Sequence, residues 1–205
     1  MIAIIDYGVG NLFSLASSFR AVGADICVTG NESDIKKCER IVLPGVGAFA
    51  DAAAKLRQSG LDGVIKREVS SGKPLLGICL GMQLLFEKSY EYGCHEGLSL
   101  VPGEVRPIDS MITPGLKVPH IGWNALSFPK DRQKSRLFKY INEGDHVYFV
   151  HSYAGTGCEK SLTATAEYGA PLTAAVENGC VFGTQFHPEK SGRVGLDILR
   201  GFIEA

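Results

Sequence analysis

At 205 residues, 45% of them apolar, the chain is long enough for one domain with a sizeable core and too apolar to stay disordered. A formal net charge of −1 gives no electrostatic reason to expect nucleic acid or an anionic membrane as partner. No apolar run reaches the ~18 residues of a membrane span, and the N-terminus enters a strand without the charged region of a secretory leader, so a cytoplasmic protein is expected.

Residues 2–5 read as a short buried strand, 6–10 as a glycine-rich turn, and 12–22 as an apolar-periodic helix stopped by Gly23. Strand, turn and helix hint at a dinucleotide fold, but the pattern Gly8-Val9-Gly10-Asn11 lacks the third glycine at its place. A second strand is expected at 26–29, a short helix capped by Ser33 and running through Cys38, and a third strand at 41–43. Continuous apolar strands alternating with helices predict a parallel α/β sheet. The third strand runs into Pro44-Gly45-Val46-Gly47, beyond the carboxyl end where open α/β sheets bind ligands. Glycines on both sides of Val46 can turn backbone N–H groups toward a substrate; the alternative is an ordinary turn before a helix at 48–58. Another helix is expected at 61–71.

The stretch Gly77-Ile78-Cys79-Leu80-Gly81 follows an apolar strand and precedes a helical run, 82–90. Small residues two positions either side of a central residue are what a nucleophile elbow needs, because the strand-to-helix turn is too tight for side chains there. The corner would expose Cys79 at a helix N-terminus, where negative charge is favoured. Gln83, four residues on, shares its helical face. The other five cysteines, Cys27, Cys38, Cys94, Cys158 and Cys180, form no Cys-x-x-Cys pair, so they read as reduced thiols rather than a zinc knuckle or redox motif.

From Gly93 prolines and glycines become frequent and the strand-like runs short, at 105–108, 116–120 and 124–126, which suggests antiparallel excursions. Trp123, the only tryptophan, is either core or an interface anchor. A strand at 147–150 ends at His151-Ser152-Tyr153, hydroxyl-bearing neighbours that suit a polar ligand. Strands at 163–168 and 173–177 follow, then a hairpin signal, Asn178-Gly179, into a strand at 180–186. That strand ends at His187, with Glu189 two residues beyond and Pro188 stiffening the link. A cysteine nucleophile needs a base and the base needs a third group to fix its tautomer; His187 and Glu189 fit those roles. His120 and His151 are rival bases without a nearby acid. Ser191 is expected to cap a last helix, 194–203.

Gly-Ile-Cys-Leu-Gly-Met-Gln at 77–83 with a distant Phe-His-Pro-Glu at 186–189 resembles the class I, or triad, glutamine amidotransferases. Asp6-Tyr7-Gly8-Val9-Gly10-Asn11, Leu43-Pro44-Gly45-Val46-Gly47, Ile121-Gly122-Trp123-Asn124 and Tyr148-Phe149-Val150-His151-Ser152-Tyr153 narrow the resemblance to the glutaminase subunits of imidazole glycerol phosphate synthases. The resemblance implies one domain over 1–205, a three-layer, flavodoxin-like α/β fold with an antiparallel extension, and hydrolysis of L-glutamine to glutamate and ammonia by Cys79, His187 and Glu189. It implies an oxyanion hole from Gly45, Val46, Gly47 and the N–H of Leu80, contact of Gln83 with the substrate, and Ser152 and Tyr153 at its amino-acid end. It implies no metal and no organic cofactor. The implied partner is a cyclase subunit that takes the ammonia in histidine biosynthesis. Trp123 and Tyr148 would belong to the docking face, joined by Asn11 and Lys190, which each sit just beyond a strand's carboxyl end. Two alternatives remain: a triad glutaminase serving another pathway, and a non-catalytic binding module on this fold.

Overall fold

The strand Ile2–Ile5 (β1) is buried at every position. Its alternate residues face two different cores, Ala3 and Ile5 on one side, Ile2 and Ile4 on the other. A side-chain period of two does this in any strand covered on both faces. The computed structural model describes residues 1–205. After β1 come α1 (Leu12–Ala21), β2 (Ile26–Thr29), α2 (Glu32–Lys37), β3 (Arg40–Leu43), α3 (Phe49–Gln58), α4 (Leu61–Ser70), β4 (Leu75–Ile78) and α5 (Leu80–Leu85). There follow β5 (Lys88–Ser89), β6 (His95–Glu96), β7 (Glu104–Pro107), β8 (His120–Ser127), β9 (His146–His151) and β10 (Tyr153–Thr156). The chain closes with β11 (Leu162–Glu167), β12 (Pro171–Asn178), β13 (Val181–Thr184) and α6 (Gly192–Glu204).

The main sheet has the order β2-β1-β3-β4-β13-β12-β11-β8-β9. Its first five strands are mutually parallel, and the remaining four continue it antiparallel. The parallel part has the doubly wound order of flavodoxin-like folds. One core lies under α2, α3, α4 and α5, with Phe49, Leu56 and Ile65 fully covered; the other lies under α1 and α6, with Phe19, Leu199 and Phe202. Each such side chain contributes roughly 1.5–3 kcal/mol of transfer free energy. A second, four-stranded sheet, β10-β7-β5-β6, stands beside the carboxyl ends. The expected three layers and antiparallel extension are therefore present.

Several local expectations are corrected. The helix after Cys79 stops at Leu85 rather than running to residue 90, because residues 97–101 fold back and satisfy its carbonyls: Leu98 N–H donates to Leu84 O and Leu100 N–H to Leu85 O, both at 2.8 Å. Residues 116–119 form no strand; the ladder starts at His120. Ser33 lies inside α2, which begins after Asn31. Ser191 precedes α6 but does not cap it. Its hydroxyl donates to His187 O at 2.7 Å and accepts from Tyr148 N–H at 3.0 Å, pinning β9 to the turn after β13.

Candidate active site

Cys79 turns the chain from β4 into α5 with φ 55° and ψ −113°. A residue with a Cβ enters that region only under strain, of order 1–3 kcal/mol. Its N–H donates to Thr184 O at 2.8 Å and its carbonyl accepts from Gln83 N–H at 3.1 Å, so both flanks hold the corner. The flanking glycines are a steric requirement. A Cβ on Gly77 would sit 2.7 Å from the Gly81 carbonyl oxygen, and one on Gly81 would overlap the Leu43 carbonyl.

β13 runs parallel to β4, and the chain beyond it delivers His187 to the same rim. The His187 N–H is fixed on Tyr148 O at 3.0 Å. A 3-10 turn, Pro188–Lys190, brings Glu189 back so that its Oε1 lies 2.7 Å from His187 Nδ1. The imidazole and Cys79 line one cavity, close enough for the sulfur to act on the ring's titration. Burial alone would push the His187 pKa down; hydrogen bonding and charge from Cys79 and Glu189 outweigh it and raise it to about 9. Glu189 Oε2 is buried without a partner, so the carboxylate is answered by His187 alone.

The loop after β3 is anchored at both ends. Tyr7 Oη donates to Pro44 O at 2.8 Å, and Phe49 N–H at the start of α3 donates to the Glu91 carboxylate. Burial, with Cys79 nearby, holds the Tyr7 hydroxyl well above the usual phenol range. Between the anchors Gly45 packs on the elbow, where a Cβ would come 2.7 Å from Gly81 N. Gly47 has φ +91°, open to glycine alone without strain. Val46 is 45% exposed.

These elements enclose a cavity of about 610 Å³. Cys79, Leu80, Gln83 and His187 line it together with Val46 and Gly47 and with His151, Ser152 and Tyr153. Gly45 lies behind the wall rather than in it. Gln83 is buried and its amide nitrogen is already engaged, by Tyr153 O at 3.1 Å and Gln185 Oε1 at 3.0 Å. Of the four docking candidates, three are contiguous. Trp123 and Tyr148 face each other across β8 and β9 with ring centroids 6.0 Å apart, and Lys190 Nζ lies 5.8 Å from the Tyr148 ring. Trp123 is 54% exposed. Asn11 is the residue before α1, its Oδ1 accepting from Ser14 N–H at 3.3 Å, and α1 packs against the Pro188–Lys190 turn.

Sequence reasoning missed three neighbours of the site. Gln185 is fully buried, its Nε2 3.8 Å from Cys79 Sγ. Its spacing of two from His187 was the available signal, because alternate residues of an extended segment share a face. Glu91 and Asp109 bring two acidic residues to the cavity lining from the irregular region after α5, where no periodicity marks them.

A cysteine in a strained strand-to-helix corner, paired with a histidine and glutamate on a flavodoxin-like sheet, defines a triad amidotransferase-type site. The family model "Glutamine amidotransferase class-I" matches residues 3–205, and the chain belongs to that family. Among curated relatives, "Imidazole glycerol phosphate synthase subunit HisH" of Caldanaerobacter subterraneus subsp. tengcongensis is 49% identical over 205 residues, covering 100% of this chain and 98% of the relative. The protein of the same description from Methanothermobacter thermautotrophicus is 48% identical, covering 100% of this chain and 98% of its own length. Among solved structures, a "Crystal structure of glutamine amidotransferase" superposes with a TM-score of 0.76 at 17% identity, covering 100% of this chain and 98% of that one. "Structure of PurLQS from Thermotoga maritima" gives 0.77 at 18%, covering 99% and 97%. The structural likenesses establish the shared fold.

Proposed function

We propose that this chain is the glutaminase subunit of an imidazole glycerol phosphate synthase, acting as a single amidotransferase domain in histidine biosynthesis in the cytoplasm. The observation that carries the reading is the Cys79 corner sharing one cavity with His187, which is itself bonded to the buried Glu189.

With the proton that Cys79 and His187 share resting on the imidazole, the sulfur attacks the side-chain amide carbon of L-glutamine. Charge develops on the amide oxygen. Leu80 opens α5, so its N–H has no intrahelical acceptor and is free for that oxygen; N–H groups of the Gly45-Val46-Gly47 loop complete the hole. Loss of one such donor lowers the rate by roughly 10²–10³. His187 returns the proton to the leaving nitrogen, which departs as ammonia, leaving a glutamyl thioester on Cys79. Water deprotonated by His187 attacks the thioester and yields glutamate, with the proton going back to sulfur. Glu189 keeps the imidazole oriented and offsets its charge. Ser152 and Tyr153 take the amino-acid end of the substrate, where Glu91 and Asp109 suit the α-ammonium. With its nitrogen engaged, Gln83 offers only its oxygen to the substrate.

Ammonia released into water would be protonated and lost, so the product is passed to a cyclase subunit docked over Trp123, Tyr148, Lys190 and Asn11. The test is glutamate formation by the chain alone, with the cyclase, and with the cyclase and its nucleotide. Stimulation by the partner is the expected result. Absence of glutamate in all three would refute the reading.

A further inference from the structure

His120 opens β8 opposite His151 of β9. A line of contacts runs through this pair. Asn124 Nδ2 donates to Glu167 O at 2.9 Å, and Asn124 Oδ1 lies 2.7 Å from His120 Nε2. His120 Nδ1 lies 3.0 Å from His151 Nε2, and His151 Nδ1 lies 2.8 Å from Tyr153 O. Both ends of the line are backbone carbonyls, which only accept. Its four contacts therefore need four protons. The Asn124 amide, a neutral His120 and a neutral His151 each supply one. Turning the amide or exchanging a tautomer only moves the place where two lone pairs meet, at 2.7 to 3.0 Å.

We propose that the His120–His151 pair holds one proton more than two neutral imidazoles, carried on His120, and that this buried imidazolium positions the groups around Cys79. The ring faces suit a cation: Tyr168 stacks on His120 at 4.0 Å and Phe149 at 5.1 Å, both with planes 21° apart. Burial works against the charge and pushes both rings down, His151 to about 4, while the hydrogen bond to Asn124 pushes His120 the other way. Those directions keep His151 the neutral member. For His120 the contact line decides: with the Asn124 amide donating to Glu167 O, two neutral rings leave lone pairs facing each other at the buried His120–His151 contact, and turning the amide moves the clash outward to Asn124–Glu167. The other titratable neighbours are His187, whose charge disfavours one on His151, Tyr168 on the ring face, and Tyr153, which Glu91 and Asp109 face in turn.

The line does not end at Tyr153. The same carbonyl accepts from Gln83 Nε2, which also reaches Gln185 Oε1, and Gln185 Nε2 lies against Cys79 Sγ. The proton thus ties β8, the strand that presents Ile121 and Trp123 outward, to the sulfur. His120 and His151 are positioning residues in this scheme, and that half of the inference rests on the glutaminase reading.

The proton count is measured by long-range ¹H–¹⁵N spectra of the full chain labelled in histidine, near pH 7. His120 should carry protons on both ring nitrogens and His151 on Nδ1 alone. One proton on each ring would overturn the proposal. In Asn124→Leu the line loses one acceptor, so His120 should become neutral; an unchanged His120 would overturn it equally. For positioning, His120→Phe keeps a ring between Tyr168 and Phe149 but removes both donors. Per folded chain, kcat for glutamine should fall about tenfold with KM moved less than about twofold. A wild type that makes no glutamate refutes the glutaminase reading and leaves the spectra standing. Normal wild-type turnover with an unchanged His120→Phe kcat refutes the positioning role alone.

Discussion

Replacing Glu189 by Gln changes one charge and almost no volume, and the structure indicates how the change acts. In the wild-type protein Glu189 Oε1 accepts from His187 Nδ1 at 2.7 Å while Oε2 has no partner. A glutamine there has two choices. If its oxygen stays on Nδ1, its NH₂ fills the Oε2 site as an orphaned buried donor, costing about 1–3 kcal/mol of stability. If the amide turns, it donates to Nδ1 and forces the imidazole proton onto Nε2, facing the sulfur, where no proton can then be accepted. Either way kcat should fall by up to roughly 10⁴, the loss that follows when a triad carboxylate is replaced by its amide. Stability carries a second signature. The His187 pKa is raised to about 9 from 6.5, and at about 1.4 kcal/mol per unit this is worth about 3 kcal/mol. A histidine with a raised folded pKa contributes fully below pH 6.5, and the contribution is lost as pH rises through 9. Denaturant unfolding at pH 6 and pH 9.5 should therefore show a smaller alkaline loss in Glu189→Gln than in wild type, by at least about 1 kcal/mol. Wild-type kcat together with an unchanged alkaline loss would show that Glu189 neither orients nor stabilises His187.

Cys79→Ala should abolish glutamate formation while the cyclase complex still makes product from added ammonia; in Cys79→Gly activity is also lost but unfolding free energy rises by about 1 kcal/mol or more, because φ 55° no longer strains a Cβ. Gly81→Ala drives a methyl into the Leu43 carbonyl and should destabilise the fold by more than about 3 kcal/mol, read as a lower urea midpoint or loss of soluble protein; near-wild-type stability would mean the elbow can relax. Trp123→Ala, at a residue 54% exposed, should leave the melting temperature almost unchanged and weaken cyclase binding by about 2 kcal/mol or more in titration calorimetry, whereas unchanged affinity would move the docking face elsewhere.

The elbow was legible because its constraint is local: a strand, a corner and a helix leave no space for a Cβ at positions 77 and 81, and the sequence records that as two glycines. The parallel strands were legible for a similar reason, since a strand covered on both faces must be apolar throughout, as Ile2–Ile5 is. What escaped was set by distant partners. Nothing within residues 82–90 says that the helix must stop at Leu85; the N–H groups of residues 97–101 decide it by taking the carbonyls. Ser191 has the composition of a cap, yet its hydroxyl is held between His187 and Tyr148. His120 read alone is a histidine without an acid, and its contacts emerge only when β8 and β9 pair in register. Gln185 required knowing that residues 79, 83 and 185 converge.

Glutamine hydrolysis at this site passes through a covalent intermediate on one sulfur. The most direct measurement is acid quench of the cyclase complex during steady-state turnover of L-glutamine, followed by peptide mass spectrometry of this chain. A glutamyl adduct on the peptide containing Cys79, absent in Cys79→Ala and longer-lived in Glu189→Gln, is the predicted result. Turnover of glutamine with no adduct on that peptide, or with the adduct at another residue, would contradict it.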